Sequence, residues 1–284
     1  MAGGDPETLR LEMLERWERA AAGWGRRAAN VREWGMPVSA WMVEQLALQP
    51  GQRVLDLAAG PGDTGFLAAE LVRPGGTLIS SDAAEAMLEI ARGRAAEAGV
   101  DNVEFKRLEL EWIDLSTASV DAVLCRFGVM LSVDPAAALR EIRRVLRPGG
   151  RAAVAVWDRA EDNPWATIPS RALIELGHAE PPDPAGPGMF VLADHARLRE
   201  RLEEAGFLDV WTESIDVPRA YASAEAFVAE TLDCSHMFAV VYRELSADEQ
   251  ARVSARIAAE LRPFAAGDGS LVLPGRALGA AADA

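Results

Sequence analysis

The sequence is poor in several residue types that usually announce a chemistry. Among 284 residues there are two cysteines, Cys125 and Cys234, far apart and outside any C-x-x-C pair. That spacing excludes a disulfide framework and a cysteine zinc site. The three histidines, His178, His195 and His236, are scattered, with no H-x-x-x-H among them, so no metal is expected. Positive charge is also scarce: Lys106 is the only lysine and the formal net charge is −15. Such a balance opposes binding to nucleic acid or an anionic membrane, both of which select basic patches. No stretch approaches the ~18 to 20 uncharged apolar residues of a membrane span. The opening "MAGGDPETLRLEMLERWERA" is polar where a secretory leader would be apolar. The expectation is a cytoplasmic chain, monomer or homodimer, with a small-molecule partner, no nucleic acid and no membrane.

What is present is regular alternation. The first stretch repeats Leu14, Trp17, Ala21, Trp24 and Ala28 at three- and four-residue spacing, the pattern of an amphipathic helix that must cover a surface. A second helix is predicted from about Val38 to Leu48. Short apolar strands then alternate with helices: "RVLDLA", "TLISSD", "NVEFKRL", "VDAVLCRF" and "RAAVAVW". Helices are read between them, one opened by Asp134 and Pro135, with "RPGG" closing the turns at Arg73 to Gly76 and Arg147 to Gly150. This order predicts a parallel sheet covered on both faces. Past Trp157 the regularity breaks, and "PPDPAGPG" from Pro181 to Gly188 reads as a loop or insertion. A helix from about Asp194 to Ala205, a strand "FLDVWTESIDV", a helical stretch from Ser223 to Phe264 and a last strand near Leu271 to Ala281 complete the pattern.

The fold class is therefore α/β: a Rossmann-like, doubly wound, mostly parallel seven-stranded sheet with helical lid segments. Its expected organisation is an N-terminal helical lid at 1–48, a cofactor-binding core at 49–222, a helical substrate cap at 223–264, and the last strand and tail of the core at 265–284.

In "LDLAAGPGDTGF" the residues Gly60, Gly62 and Gly65 form a G-x-G-x-x-G after the first strand, a spacing often read as a dinucleotide site. In such sheets the ligand lies at the carboxyl ends of the strands, so the loop is placed for a cofactor of either kind. Asp82, ending the second strand, can bind ribose hydroxyls, and equally can serve as a helix cap. Electrostatics separates the candidates. Asp56 ends the first strand and Asp63 lies within the loop, so a pyrophosphate would face two carboxylates. At ~4 Å and an effective dielectric of about 20, each such pair costs on the order of 4 kcal/mol. The helix N-terminus returns roughly 0.3 to 1 kcal/mol, or ~2 when partly buried. A ligand with a cationic end is preferred, and S-adenosylmethionine carries an α-ammonium and a sulfonium beside its adenosine.

The stretches "VLDLAAGPGDTG", "ISSDAAEAML", "VDAVLCRFGVMLSVDPAAALREIRRVLRPGG" and "DNPW" resemble the class I S-adenosylmethionine-dependent methyltransferases, near the ubiquinone and menaquinone biosynthesis C-methyltransferases. The resemblance spans roughly Val54 to Trp165. It implies that Asp56 and the backbone of Ala59, Gly60, Pro61 and Gly62 hold the methionine end, that Asp82 grips the ribose, and that Ala83 and Met87 flank the adenine. At the end of the third strand this chain has Glu109 and Leu110 where the family has Asp and a small residue. Glu109 is either an adenine contact or a solvated loop acid. Arg126 and Phe127 would border the methionine moiety and the substrate entrance, although an ion-pair role suits Arg126 equally.

Four tryptophans, Trp17, Trp24, Trp34 and Trp41, crowd the N-terminal segment. Packing accounts for some of them, and an aromatic lid over a small-molecule pocket accounts for the rest. Trp24, Trp34 and His236 are the candidate substrate contacts, with an ordinary surface or core position the simpler reading for the histidine. Cys125 is read as a small buried strand residue. No catalytic acid or base is assigned, because methyl transfer from a sulfonium already has an activated leaving group and needs chiefly alignment. The sequence "CRFGVM" after the fourth strand also lacks the N-P-P-[YF] of base-methylating members. A nicotinamide-dependent oxidoreductase on the same fold and a non-catalytic cofactor-binding protein are the alternatives.

Overall fold

A computed structural model describes residues 5–181 and 188–284. The expected loop from Pro181 to Gly188 therefore lies, over 182–187, outside the described residues. Two helices open the chain, α1 (Pro6–Arg26) and α2 (Ala28–Leu46). The core then runs β1 (Arg53–Leu57), α3 (Asp63–Leu71), β2 (Thr77–Asp82), α4 (Glu85–Ala98), β3 (Val103–Arg107), β4 (Val120–Arg126), α5 (Pro135–Val145), β5 (Leu146–Trp157), α6 (Pro164–Glu175), α7 (His195–Glu204) and β6 (Leu208–Asp216). A short β7 (Arg219–Tyr221), helices α8 (Ala224–Cys234), α9 (His236–Glu244) and α10 (Ala247–Leu261), and strands β8 (Leu271–Leu273) and β9 (Arg276–Asp283) finish it.

The main sheet has seven strands in the order β3-β2-β1-β4-β5-β9-β6. Neighbours among β1 to β5 are parallel, while β9 runs antiparallel to both β5 and β6. This is the doubly wound, mostly parallel sheet the alternation predicts. The order reverses between β1 and β4, which opens a crevice at their carboxyl ends. Both faces of β1, β4 and the second half of β5, Ala152 to Trp157, are buried, as their largely apolar sequences require.

Three elements differ from expectation. Helix α2 begins at Ala28 and not near Val38, because Pro37 sits inside it. The N–H that Pro37 lacks would have served the carbonyl of Glu33, an exposed residue, so the helix passes through. The expected strand from Leu271 to Ala281 divides at Pro274 and Gly275 into β8, paired with β7 in a separate ribbon, and β9 in the main sheet. A side chain at Gly275 would meet the Val217 carbonyl at 2.3 Å, so only glycine allows that crossing. Third, the region after Trp157 contains a full helix, α6, with Pro164 in its first turn.

Asn163 anchors that helix to the sheet. Its Oδ1 accepts from Trp165 Nε1 at 2.9 Å and from the Arg276 N–H at 3.0 Å. Its Nδ2 donates to the carbonyls of Asp158, Arg159 and Arg276. A fully buried amide is tolerated because its hydrogen-bonding groups are all used. The "DNPW" stretch is thus a clasp joining the end of β5 to the start of β9.

Two main apolar cores result. The larger lies within the sheet layers and includes Val38, Met42 and Val43 of α2. The second is formed by α6, α8, α9, α10 and the β7–β8 ribbon, around Phe227, Ile257 and Leu273. Trp165 packs against both. Trp41 is a packing residue: its ring lies where a side chain at Gly279 would be, and its Nε1 donates to Glu213 at 2.8 Å.

Candidate functional site

The crevice is built on the turn after β1. Gly60 and Gly62 have φ of +52° and +92°, the left-handed region that favours glycine. A side chain at Gly62 would strike the Phe66 ring, whereas one at Gly60 would meet nothing within 4 Å, so the loop surface is open at Gly60. The turn is tied down from the next strand: the Ala59 N–H donates to the Ser81 carbonyl at 2.9 Å, and Ser81 Oγ donates to the Asp56 carbonyl at 2.9 Å.

Asp82 completes the tie. One carboxylate oxygen accepts from the Gly60 N–H and the other from the Ala84 N–H, both at 3.0 Å. Burial raises its pKa to about 6 in spite of those hydrogen bonds. Asp56 is more deeply placed, 1% exposed, with its Oδ2 buried and lacking any hydrogen-bond partner. Burial pushes its pKa up to about 7, against the opposing pull of the Arg126 guanidinium. A side chain at Gly65 would lie 2.7 Å from Asp56 Oδ2, so the third glycine makes room for this carboxylate.

Asp63 does not add to the repulsion expected from the sequence. It points inward and its Oδ1 accepts from Arg94 of α4 at 2.7 Å, so its charge is neutralised within the protein. Arg94 also donates to the Pro61 carbonyl at 2.6 Å, bracing the loop from behind. The electrostatic preference for a cationic ligand therefore rests on Asp56.

Arg126 reaches away under the lid. Its Nη1 donates to Ser39 Oγ of α2 at 3.1 Å, and Ser39 shares a hydrogen bond with Thr64 of α3 at 2.9 Å. A side chain at Gly35 would lie 2.1 Å from that nitrogen, so α2 offers glycine where the guanidinium passes. Phe127, at φ +61°, stacks on Trp157 with centroids 3.9 Å apart. A positive φ at a phenylalanine is strained, and it turns the chain sharply at the mouth of the crevice.

The adenine-side candidates lie beneath α1. Met87 and Ala84 are buried in a cluster with Ala21, Trp17, Trp24 and Ile90. Glu18 of α1 accepts from the N–H groups of Glu85 and Ala86 at 2.8 and 3.1 Å, closing the N-terminus of α4. The Ala83 carbonyl accepts from Arg107 Nε at 3.0 Å. Leu110 approaches Gly128 after β4, while Glu109 is exposed and its backbone bridges to Trp112.

The three substrate candidates occupy three different surroundings. Trp24 makes an edge contact with Trp17 and donates from Nε1 to the Cys234 carbonyl at 3.0 Å, joining α1 to the end of α8. His236 opens α9, where burial and the charges of Arg19, Arg16 and Arg243 lower its pKa. Trp34 alone reaches the crevice mouth, with its ring centroid 6.2 Å from Phe127 and 5.9 Å from Trp157.

Trp34 also belongs to a feature the sequence did not disclose. Arg219, 7% exposed, lies among three indoles: its guanidinium carbon is 3.9 Å from the Trp34 ring centroid, 3.4 Å from that of Trp165 and 5.3 Å from that of Trp157. Among the described residues no carboxylate lies within ion-pairing distance of it. Removing a guanidinium from water costs several kcal/mol. Each cation–π contact returns about 0.5 to 2 kcal/mol. Burial accordingly lowers the Arg219 pKa. Nothing in "VPRAY" signals this residue, since the indoles come from α2, β5 and α6. Among the described residues, no group of His, Cys, Asp and Glu could hold a metal ion, and no helix is long and apolar enough to cross a membrane.

A glycine turn after β1, acids ending β1 and β2, and a strand reversal beside them define a nucleoside-cofactor-binding α/β domain of the Rossmann-like class. Residues 48–180 match the family described as a methyltransferase domain. Over 110 residues, 38% of this chain and 44% of the relative, the chain is 36% identical to a ubiquinone/menaquinone biosynthesis C-methyltransferase of Hahella chejuensis. Over 101 residues, 36% of this chain and 39% of the relative, it is 43% identical to a demethylmenaquinone methyltransferase of Clavibacter sepedonicus. The chain thus covers less than half the length of these curated relatives. In fold it is similar to the YcgJ protein of Bacillus subtilis, with a TM-score of 0.59 at 19% identity over 86% of this chain and 97% of that one. Over residues 48–180 the chain is thus similar to a methyltransferase domain, and the relatives it matches there are ubiquinone/menaquinone and demethylmenaquinone methyltransferases.

Proposed function

We propose that the chain as a whole transfers the methyl group of S-adenosylmethionine to a small-molecule acceptor, a metabolite, quinone-like compound or natural product, by direct in-line displacement. The observation that carries this reading is the pair of buried acids on adjacent strand ends. Asp56 has a carboxylate oxygen without a partner, which suits an α-ammonium, and Asp82 lies against the Gly60 N–H, where its remaining lone pairs suit ribose hydroxyls. The names of the curated relatives favour a quinone-like acceptor.

S-adenosylmethionine, when bound, supplies a methyl group already activated on a sulfonium. Asp56 would neutralise the ammonium, the backbone of Ala59 to Gly62 would receive the methionine end, and Ala83 and Met87 would flank the adenine. Leu110 would lie at the far edge of the site, with Glu109 on its solvent side. Arg126, held by Ser39, positions the lid against the core beside the reacting end. Phe127 and Trp34 would border the acceptor, while residues 1–48 as lid and 223–264 as cap exclude water from a core made of 49–222 and 265–284. No side chain is assigned as acid or base. Ordering the reactants alone can contribute about 7 to 11 kcal/mol.

The test is calorimetry with S-adenosylmethionine, S-adenosylhomocysteine and NADH, followed by a homocysteine-release assay across a metabolite panel that includes quinols. Binding of the two sulfur ligands and turnover of a panel member is expected. Tight NADH binding with no response to the others would overturn the reading.

A further inference from the structure

Between α2, β7 and α8 lies a cavity of about 140 Å³, lined in part by Trp34, Arg219, Tyr221 and Glu230. Two of its lining side chains carry a buried N–H with no partner among the described residues, Arg219 Nε and Trp34 Nε1. Of the two acids that line the cavity, Glu33 is exposed, and Glu230 is already held: its two oxygens accept from Tyr221 Oη and Asn30 Nδ2, each at 3.2 Å. The unanswered buried groups are therefore donors, and one of them is cationic. Trp34 connects this cavity to Phe127 and Trp157, the residues at the carboxyl ends of β4 and β5, so it adjoins the crevice where a methyl group would be delivered.

We propose that this cavity is the acceptor pocket and that it selects a flat ring bearing an anionic oxygen, a carboxylate or an ionised enol or phenol, which Arg219 and Trp34 bind through their free N–H groups. The proposal rests on the methyltransferase reading for the word acceptor, and on the cavity's own chemistry for the anion. A buried donor without a partner is costly, and an acceptor oxygen removes that cost twice here. The indole faces suit a planar guest, and cavities of about 150 Å³ hold a benzene ring. The aromatic faces around Arg219 hold its guanidinium in place without neutralising it, as a carboxylate would.

The experiment uses the full chain with benzoate, neutral benzamide and benzyltrimethylammonium as probes, read by calorimetry and tryptophan fluorescence, with S-adenosylhomocysteine binding as control. Benzoate is expected to bind about ten- to a hundredfold more tightly than benzamide, the range of a charge-assisted hydrogen bond. Arg219→Met should erase that preference. Trp34→Phe, which keeps a ring and removes only the N–H, should weaken benzoate severalfold and leave S-adenosylhomocysteine binding unchanged. Equal binding of benzoate and benzamide, tighter binding of the ammonium probe, or no measurable benzoate binding by the unaltered protein overturns the proposal. If benzoate selectivity holds while S-adenosylhomocysteine fails to bind, the anion site stands and the methyltransferase reading falls.

Discussion

Arg94 of α4 donates to the buried carboxylate of Asp63 at 2.7 Å, and this pair determines how the glycine loop is charged. Asp63 is 5% exposed, so without its partner the carboxylate would be both desolvated and unneutralised. Arg94→Met should therefore cost about 3 kcal/mol of stability, the lower end of the range for breaking a buried ion pair. The double substitution Asp63→Asn with Arg94→Met should recover most of it, because no charge is left stranded. Urea denaturation of the three proteins checks this, and a double variant no more stable than the single one would show that Arg94 acts through Pro61 instead.

Asp56 gives a pH signature. Its folded pKa of about 7 lies above the ordinary 3.8, so the fold holds this proton more tightly than the unfolded chain does. The associated stabilisation is complete below pH 3.8 and is lost as pH rises to about 7. A cationic ligand reverses the preference, since it needs the carboxylate. Affinity for S-adenosylhomocysteine should rise between pH 6 and 8, by at most about tenfold per unit, with a proton released on binding. Calorimetry in buffers of different ionisation heat reads that proton. In Asp56→Asn the release through this range should vanish, and affinity should fall.

Much of the fold is legible in the sequence, for a physical reason. The central strands β1 and β4 are buried on both faces and are mostly apolar, "RPGG" stops the chain after α3 and α5, and Asp134 and Asp194 cap α5 and α7. These are local signals. Pro37 misleads because its cost depends on whether the carbonyl it abandons reaches water, which the sequence does not record. The single strand read across Pro274 and Gly275 fails because pairing partners for β8 and β9 lie in different sheets. Within the site, the glycines and the acids at strand ends are visible because their spacing is local. The inward turn of Asp63, the indoles around Arg219 and the reach of Glu18 depend on residues dozens of positions apart, which no local pattern connects.

Asp82 and Asp56 should separate by ligand. If Asp82 serves the ribose and Asp56 the ammonium, adenosine alone should distinguish them. Asp82→Asn replaces one of two oxygens that accept from Gly60 and Ala84, so the loop loses a charge-assisted hydrogen bond worth about 1.5 to 3 kcal/mol. Adenosine and S-adenosylhomocysteine should both weaken at least about tenfold. Asp56→Asn should weaken only S-adenosylhomocysteine, since adenosine has no amino-acid end. Equal loss of adenosine binding in both variants would place Asp56 in the support of the loop and not at the ligand.

Glu18 sets how firmly the lid closes. From the middle of α1 it caps α4 by accepting two backbone N–H groups, and on the same face Ala21 and Trp24 cover Met87. Glu18→Gln keeps one acceptor oxygen and loses the charge that favours a helix N-terminus, a change of about 1 kcal/mol. At that size the sheet is untouched, and the population with α1 lifted from α4 grows by about fivefold. Hydrogen exchange should quicken across 6–26 and the first turn of α4 while β1 and β4 stay protected. Dissociation of S-adenosylhomocysteine should quicken by a similar factor if α1 must lift to release it. Faster exchange in α1 with unchanged dissociation would mean that the cofactor leaves by another route, past α2 and Trp34.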